Sequence, residues 1–285
     1  MAINVRGTAQ PAARLYPMKL LLALWSLVAL LLLASQWLTS LPDPWVLALA
    51  VRLALPMAIL RFWRRRLQRL AWRSAVMNPA SRYYTSFRGG AVMFGLQAGL
   101  ALALSGVLLV GLARQESTLF WLVLVVMVPL WVQTHRVLEH RLRGHLDVRF
   151  ARLAAHRLQA VGYGAALLVL LLAWSMFQTV VDLRGVTIEA AVLAFTAEID
   201  ARSASLQVSL EAVAAFDALR HWLVQNLAHA VPGLLLGLLA WAVVLVREWL
   251  LVWPLLLLWQ AVHVMAEGGW QEQVRQAGSV RPPAG

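Results

Sequence analysis

The sequence predicts an all-α integral membrane protein, and three observations lead to that fold class. Hydrophobic residues make up 61% of the 285 residues and charged residues only 13%, whereas soluble domains average roughly 25% charged residues. The apolar residues gather in runs of about 20, the length that crosses roughly 30 Å of hydrocarbon. Arginines gather between these runs, in the blocks 61–88 and 135–159. We expect a polytopic helical bundle of about seven spans, with six as the alternative, and an amphipathic helical insertion outside the membrane.

The two basic blocks predict the topology. Block 61–88 carries eight arginines and no acid, and block 135–159 carries six arginines against two acids. Basic loops stay on the cytoplasmic side of a membrane, so both blocks and the N-terminus, with Arg6 and Arg14, are expected there. An even number of spans must then separate each pair of these segments. This requirement favours a span at 45–62, although that stretch contains Arg52 and Pro56.

The remaining elements of the first region follow in chain order. An uncleaved first span covers 20–38, because the apolar stretch is longer than that of a signal peptide and no small-residue cleavage site follows it. A Pro-Asp-Pro turn at 42–44 leads to the second span. The third, fourth and fifth spans are predicted at 90–113, 119–133 and 160–181. Residues 1–181 therefore form a five-span region with two basic interfacial segments.

The segment 182–230 differs in character and is expected outside the cytoplasm. It holds six of the 13 acids, and its apolar residues recur at steps of three and four, the spacing of amphipathic helices. We expect two helices with a break near Asp200–Ser205. The C-terminal apolar region 231–266 is about 54 Å long as one helix, so two spans meeting at Arg247–Glu248 are favoured over one span kinked at Pro254. The tail 267–285 is expected to be disordered.

Both basic blocks alternate basic and apolar residues at helical spacing. A basic amphipathic helix lies in the head-group plane of a membrane, where anionic lipid head groups are its expected partners. The same surface could dock a cytoplasmic protein, or the arginines could be topology determinants only. The candidate lipid or partner surface comprises Arg64, Arg65, Arg66, Arg69, Arg73, Arg141, Arg143 and Arg149.

Arg52 is the charged residue nearest the middle of a predicted span. Intramembrane charges are costly and are functional candidates by default. Arg52 is therefore a candidate for lining a pathway or pairing between helices, and the alternative is that it reaches the interface with its long side chain.

The chain offers few residues for chemistry. Because it has no cysteine, disulfides, thiolate nucleophiles and cysteine-ligated metals are excluded. Nucleotide-binding loops, a nucleophile elbow and an HExxH motif are also missing. We therefore predict no catalytic residue, cofactor or metal site. The best metal candidate is the stripe of His221 and His229 with Asp217; His135, His140 and His145 do not share a helix face.

Small residues at steps of four mark expected helix contacts. Ala91, Gly95 and Gly99 form one such stripe, and Gly233 with Gly237 forms another. Packing inside the bundle is the favoured interpretation, and contact with another subunit is the alternative.

Three functions stay open on the sequence alone. The favoured one is a non-catalytic integral membrane subunit or scaffold of a bacterial envelope complex for transfer, secretion or transport, with protein partners in the membrane or periplasm. A small secondary transporter or channel would use the thin polar set Arg52, Gln97, Ser105, Gln178 and His263. A membrane-interface enzyme or sensor would use Asp217, His221 and His229.

Location follows from composition and charge. The 24 arginines against one lysine are typical of a GC-rich bacterial genome, so the bacterial inner membrane is the expected compartment. The net charge of +12 does not favour nucleic acid, because the basic residues flank apolar spans.

Overall fold

The computed structural model describes residues 10–76, 90–115, 117–145, 148–177, 181–227 and 233–266. Within these ranges the chain is helical and contains no strand. The helices are α1 Gln10–Trp37, α2 Asp43–Val76, α3 Ala91–Ala113, α4 Thr118–Arg143, α5 Val148–Phe177, α6 Ile188–Thr196, α7 Ala204–Leu227 and α8 Gly233–Ala266, with a short 3-10 turn at Leu38–Ser40 after α1.

Six described helices are long and apolar enough to cross a membrane, which confirms the predicted all-α polytopic bundle at the lower of its two span counts. The candidate spans are Met18–Ser40, Asp43–Arg66, Ala91–Ala113, Thr118–Arg143, Ala154–Ser175 and Ala242–Ala266. The preference for two spans within 231–266 is wrong, because α8 continues through Arg247–Glu248 as one helix.

The last helix, α8, lies at the centre of the bundle. It contacts α1, α2, α3 and α5, and nearly every side chain from Leu251 to Val264 is buried. A helix that is apolar on all sides belongs in an interior position. The hairpin of α4 and α5 and the closely packed pair α2 and α3 flank it.

The basic blocks continue the spanning helices. Residues 61–76 extend α2, residues 135–143 end α4, and residues 148–159 begin α5. In the first block no glycine or proline interrupts the helical register between Phe62 and Val76, so α2 continues through it. We call the end of the bundle where α2 and α4 leave their spans and α5 enters its span the basic end.

The small-residue stripe on α3 faces outward. Ala91, Gly95 and Gly99 are exposed, and a Cβ built on either glycine meets no atom of the described residues within 4 Å. The expected packing inside the bundle is therefore wrong for this stripe. A close approach occurs instead at Gly111, where a Cβ would lie 2.6 Å from Leu251 Cδ1 of α8. The side-chain surroundings of Gly233 and Gly237 lie outside the described residues.

The insertion, residues 181–227, contains the two helices that the periodicity predicts, with the break at 197–203. Thr187 caps α6 by accepting a hydrogen bond from the Ala190 amide at 3.3 Å. The loop before α6 returns to the end of α7, where Gln225 accepts from the Leu183 amide at 2.6 Å. Gly185 has φ +73°, a left-handed conformation that suits glycine.

The insertion is anchored to the opposite end of the bundle, which we call the insertion end. The Arg202 amide donates to the Thr39 carbonyl at 2.8 Å in the α1–α2 turn. Asp43 accepts hydrogen bonds from the Ser203 and Ser205 hydroxyls. These contacts fix the start of α7 above the first helical hairpin.

Candidate functional site: a buried histidine cluster

Three histidines from three helices meet inside the basic end of the bundle. His135 of α4, His156 of α5 and His263 of α8 are all buried. Their ring centroids lie 4.3 to 4.7 Å apart in all three pairings. One potential ligand nitrogen from each histidine lies within 4.8 Å of the other two. We call these residues the histidine cluster.

The α4–α5 hairpin explains how two of the three histidines meet. His135 lies eight residues before Arg143, the last residue of α4, and His156 lies eight residues after Val148, the first residue of α5. Antiparallel neighbours joined by a short turn place such positions at the same level, about 12 Å from the helix ends at 1.5 Å per residue. His263 joins them because α8 packs against α5.

Gln159 sets the orientation of His135. The Gln159 amide nitrogen donates to the Trp131 carbonyl at 2.5 Å and to the Thr134 hydroxyl at 3.1 Å. Its oxygen, an acceptor only, lies 3.0 Å from His135 Nδ1. His135 Nδ1 must therefore carry a proton, which leaves Nε2 as the metal-binding or proton-accepting nitrogen. His135 Nε2 lies 3.8 Å from a Glu139 carboxylate oxygen.

Trp131 sets the orientation of His263. Its indole N–H donates to His263 Nδ1 at 2.8 Å. Since an indole nitrogen is a donor only, Nδ1 of His263 must accept, and neutral His263 carries its proton on Nε2. A metal at Nδ1 would take the place of the indole N–H, whereas a metal at Nε2 would displace the ring proton.

The cluster has the chemistry of a metal centre with three imidazole ligands. Zinc–nitrogen bonds of about 2.0–2.1 Å in tetrahedral geometry place ligand nitrogens about 3.4 Å apart. The observed limit of 4.8 Å therefore requires a movement of at most about 1.4 Å. Three protein ligands leave a fourth position open for water or another ligand.

A second polar site, the ion network, lies at the insertion end around Asp217 of α7. Asp217 is buried, and its carboxylate lies 2.6 Å from Arg114 Nη1 and 3.4 Å from Arg247 Nε. Arg247 also lies 3.5 Å from Glu248. Arg220 interacts electrostatically with all four of these residues. The network joins α3, α7 and α8.

Burial changes the proton affinity of two groups in this network. Desolvation lowers the pKa of the half-buried Arg220 below its ordinary value. Desolvation is also the largest influence on His221 and lowers its pKa below the usual 6.5, against the opposing effect of a hydrogen bond to the Asp217 carbonyl. His221 Nδ1 donates to that carbonyl at 2.8 Å, and Nε2 accepts from Arg220 at 3.1 Å. Both ring nitrogens of His221 are therefore engaged.

The structure places several predicted site residues apart from both sites. Arg52 lies on the exposed face of α2. Gln97 accepts a hydrogen bond from Arg61 at 3.1 Å, and Ser105 donates within its own helix. Exposed side chains in the predicted basic surface are Arg65, Arg69, Arg141 and Arg143, whereas Arg64 and Arg66 are partly buried. The side chains of Arg73 and Arg149, and all of Gln178 and His229, lie outside the described residues.

The sequence contained a partial signal for the histidine cluster. Comparing His135 with His140 and His145 on one helix excluded a shared face, but the partners of His135 lie on other helices. Equal spacing from the α4–α5 turn could have paired it with His156, whereas nothing local indicates His263.

Comparisons of the chain with protein-family models, with curated proteins and with solved structures gave no match.

Proposed function

We propose that this protein is a membrane-embedded metal-binding protein whose histidine cluster holds one divalent transition-metal ion. The observation that carries the proposal is the meeting of three buried imidazoles from α4, α5 and α8, with their ligand nitrogens within 4.8 Å. Imidazole ligands suit zinc, copper and nickel, whereas magnesium and calcium prefer oxygen ligands. The bound ion is therefore a late transition metal.

The surroundings of the cluster support metal binding. The hydrogen bond from His135 Nδ1 to Gln159 is the type of outer contact that fixes the tautomer and orientation of a ligand. Glu139 lies between the cluster and Arg143, with which it pairs at 2.7 Å. Its carboxylate could complete the metal coordination or guide a cation from the basic end.

Cobalt titration tests the proposal directly. The full chain, purified without a polyhistidine tag and placed in lipid nanodiscs, is titrated with Co²⁺, whose visible absorption reports low-coordinate nitrogen ligation. We expect saturation at one ion per chain. His156→Gln should weaken binding by at least about 100-fold, because removing a ligand exceeds the 10–100-fold effect of removing its supporting contact.

His140→Gln is the matched control, because His140 lies one turn beyond His135 on the same helix but is exposed. It should bind cobalt like the wild type. Gln159→Leu should weaken binding about 10–100-fold by freeing the His135 ring. Absence of saturable cobalt binding by the wild type, or equal binding by correctly assembled His156→Gln, would overturn the proposal.

A second candidate function is that of a non-catalytic subunit in a larger membrane assembly. Two described surfaces favour it. Gly95 and Gly99 face outward with open space around them, and small residues allow close approach of another helix. On the insertion, Leu193 and Val208 are each about two-thirds exposed although they lie outside the candidate spans.

Mild-detergent purification from native membranes tests the assembly. A stoichiometric partner, or a defined oligomer, should accompany the wild type and be lost in Gly99→Leu. Gly162→Leu is the control, because a Cβ on this exposed glycine of α5 also meets no described atom within 4 Å. A monodisperse single chain from native membranes would contradict the assembly role.

The proposed setting is the bacterial inner membrane with a cytoplasmic N-terminus, on the argument that the basic end faces the cytoplasm. The absence of cysteine makes labelling of introduced cysteines unambiguous. Impermeant maleimide should label Arg184→Cys in the insertion from outside the cell. It should label His145→Cys, in the α4–α5 turn, only after the membrane is opened; the reverse pattern would invert the topology.

A further inference from the structure

A cleft of about 650 Å³ opens beside the ion network at the insertion end. Residues of α3, α5, α7 and α8 line it. Its volume is within the roughly 300–1,000 Å³ range of small-molecule sites. The cleft and the histidine cluster lie at opposite ends of α5, because α5 contributes Leu171 and Ser175 to the cleft and His156 to the cluster.

The cleft has a charged end. Arg114, Arg247 and Glu248 line it together with Gln115, Ser117 and Ser209. Arg114 and Arg247 are held by buried Asp217 and keep about 30% of their side-chain surface exposed. The ion network contains three arginines and two carboxylates, which leaves one positive charge. Arg220 Nη1 is buried and has no hydrogen-bond partner among the described residues.

The rest of the cleft is an apolar floor. Gly106, Val107 and Val110 of α3, with Leu171 and Trp174 of α5 and Leu250 of α8, lie along it. All of these residues lie within candidate membrane spans. Trp174 and Leu250 are exposed, so the floor is continuous with the exposed apolar surface of the candidate spans. A Cβ built on Gly106 meets no atom of the described residues within 4 Å, so a larger side chain at this position would project into the open cleft.

We propose that the cleft binds an anionic amphiphile, with an acyl chain along the apolar floor and a phosphate or carboxylate against Arg114 and Arg247. A planar guanidinium binds either anion through two parallel hydrogen bonds. One negative charge in the head group neutralises the net charge of the ion network. The inference is independent of metal binding at the opposite end of the bundle.

Photocrosslinking in nanodiscs tests this site. Three diazirine-bearing probes are compared: a fatty acid, a phosphatidylglycerol and an uncharged monoacylglycerol, each with its photoreactive group on the acyl chain. Crosslinked peptides are mapped by mass spectrometry. We expect the two anionic probes to label peptides containing Gly106–Gly111 and Leu250–Leu251 more strongly than the neutral probe, and competition between them identifies the free acid or the bilayer lipid as the natural source.

Two variants separate the apolar floor from the charged end. Gly106→Leu fills open space and should reduce labelling of the cleft by about tenfold, whereas Gly162→Leu, outside the cleft, should label like the wild type. Arg247→Gln should reduce anionic labelling by about tenfold, the loss expected for one charged hydrogen bond, and leave neutral labelling unchanged.

Several outcomes would overturn the inference. Equal labelling of the cleft by the neutral probe would mean that only apolar surface is recognised. Unreduced labelling of Gly106→Leu would place the probes elsewhere. Absence of labelling by both anionic probes would show that the cleft does not bind an anionic amphiphile. A thermal unfolding midpoint equal to that of the wild type is the control that each variant is folded.

Discussion

Replacing Asp217 by asparagine should release the insertion from the bundle while keeping the overall fold. Asp217 is 2% exposed and joins α7 to Arg114 of α3 and Arg247 of α8. Asparagine has nearly the same size but no charge. The ion network then contains three arginines and one carboxylate, so its net charge rises from one to two in a partly buried setting.

The magnitude follows from the exposure of the partners. Removing one member of a buried ion pair costs about 3–5 kcal/mol, because the remaining charge stays desolvated. Arg114 and Arg247 are 27% and 33% exposed and so can recover part of their hydration. The lower value, about 3 kcal/mol, therefore applies, and it corresponds to a roughly 100-fold larger local opening constant.

Amide hydrogen exchange in nanodiscs measures this opening. Peptides from Ala204–Leu227 should exchange roughly 100-fold faster in Asp217→Asn, while peptides from α4 and α5 keep their protection. Asp182→Asn is the control, because Asp182 is exposed and lies 4.0 Å from Arg184; exposed pairs contribute little. An exchange rate in α7 within about threefold of the wild type, the range expected for an exposed pair, would refute the assignment of Asp217 as the anchor.

Two further predictions concern α7 and the contact between α3 and α8. The pKa of His221 in the folded chain lies below its usual value of 6.5. Between these two pKa values the unfolded chain binds more protons than the folded chain, so α7 should lose protection from hydrogen exchange as the pH falls through that range. His221→Asn keeps a donor for the Asp217 carbonyl but does not titrate, so its exchange rates, corrected for the intrinsic rates, should depend less on pH. Gly111→Val should lower the free energy of unfolding by about 1–3 kcal/mol, because its Cβ would lie 2.6 Å from Leu251 Cδ1. Gly162→Val is the control, because it places the same side chain in open space. Equal thermal unfolding midpoints of the two variants would contradict the close contact.

The sequence predicts the membrane fold well because its main signals are local. Apolar runs of membrane length and helical spacing each depend on neighbours within a few turns. At 231–266 the length of the apolar run predicts two spans, and this prediction is wrong because α8 is one helix. Arg247 and Glu248 lie inside this continuous helix, where Arg247 reaches Asp217 of the ion network.

The candidate sites were harder to predict because they join residues that are distant in sequence. His135 and His263 are 128 positions apart, and no periodic pattern encodes the packing of α8 against α4 and α5. The sequence makes Asp217 and His221 candidate metal ligands together with His229. The structure gives Asp217 arginine partners from α3 and α8 instead, which a composition of 25 basic residues does not single out.

The central position of α8 has a consequence for biosynthesis. Of the six candidate spans it is synthesised last, yet it packs against α1, α2, α3 and α5 and is bonded to α4 through Trp131 and His263. Until it enters the membrane, the five earlier spans surround a vacancy, and His135 and His156 face a site that lacks its third member. Proteins built by sequential synthesis depend on chaperones while such surfaces are uncovered. Completion of this bundle is therefore a late, post-insertion event, and quality-control proteases in the membrane have that interval in which to recognise chains whose last helix fails to dock.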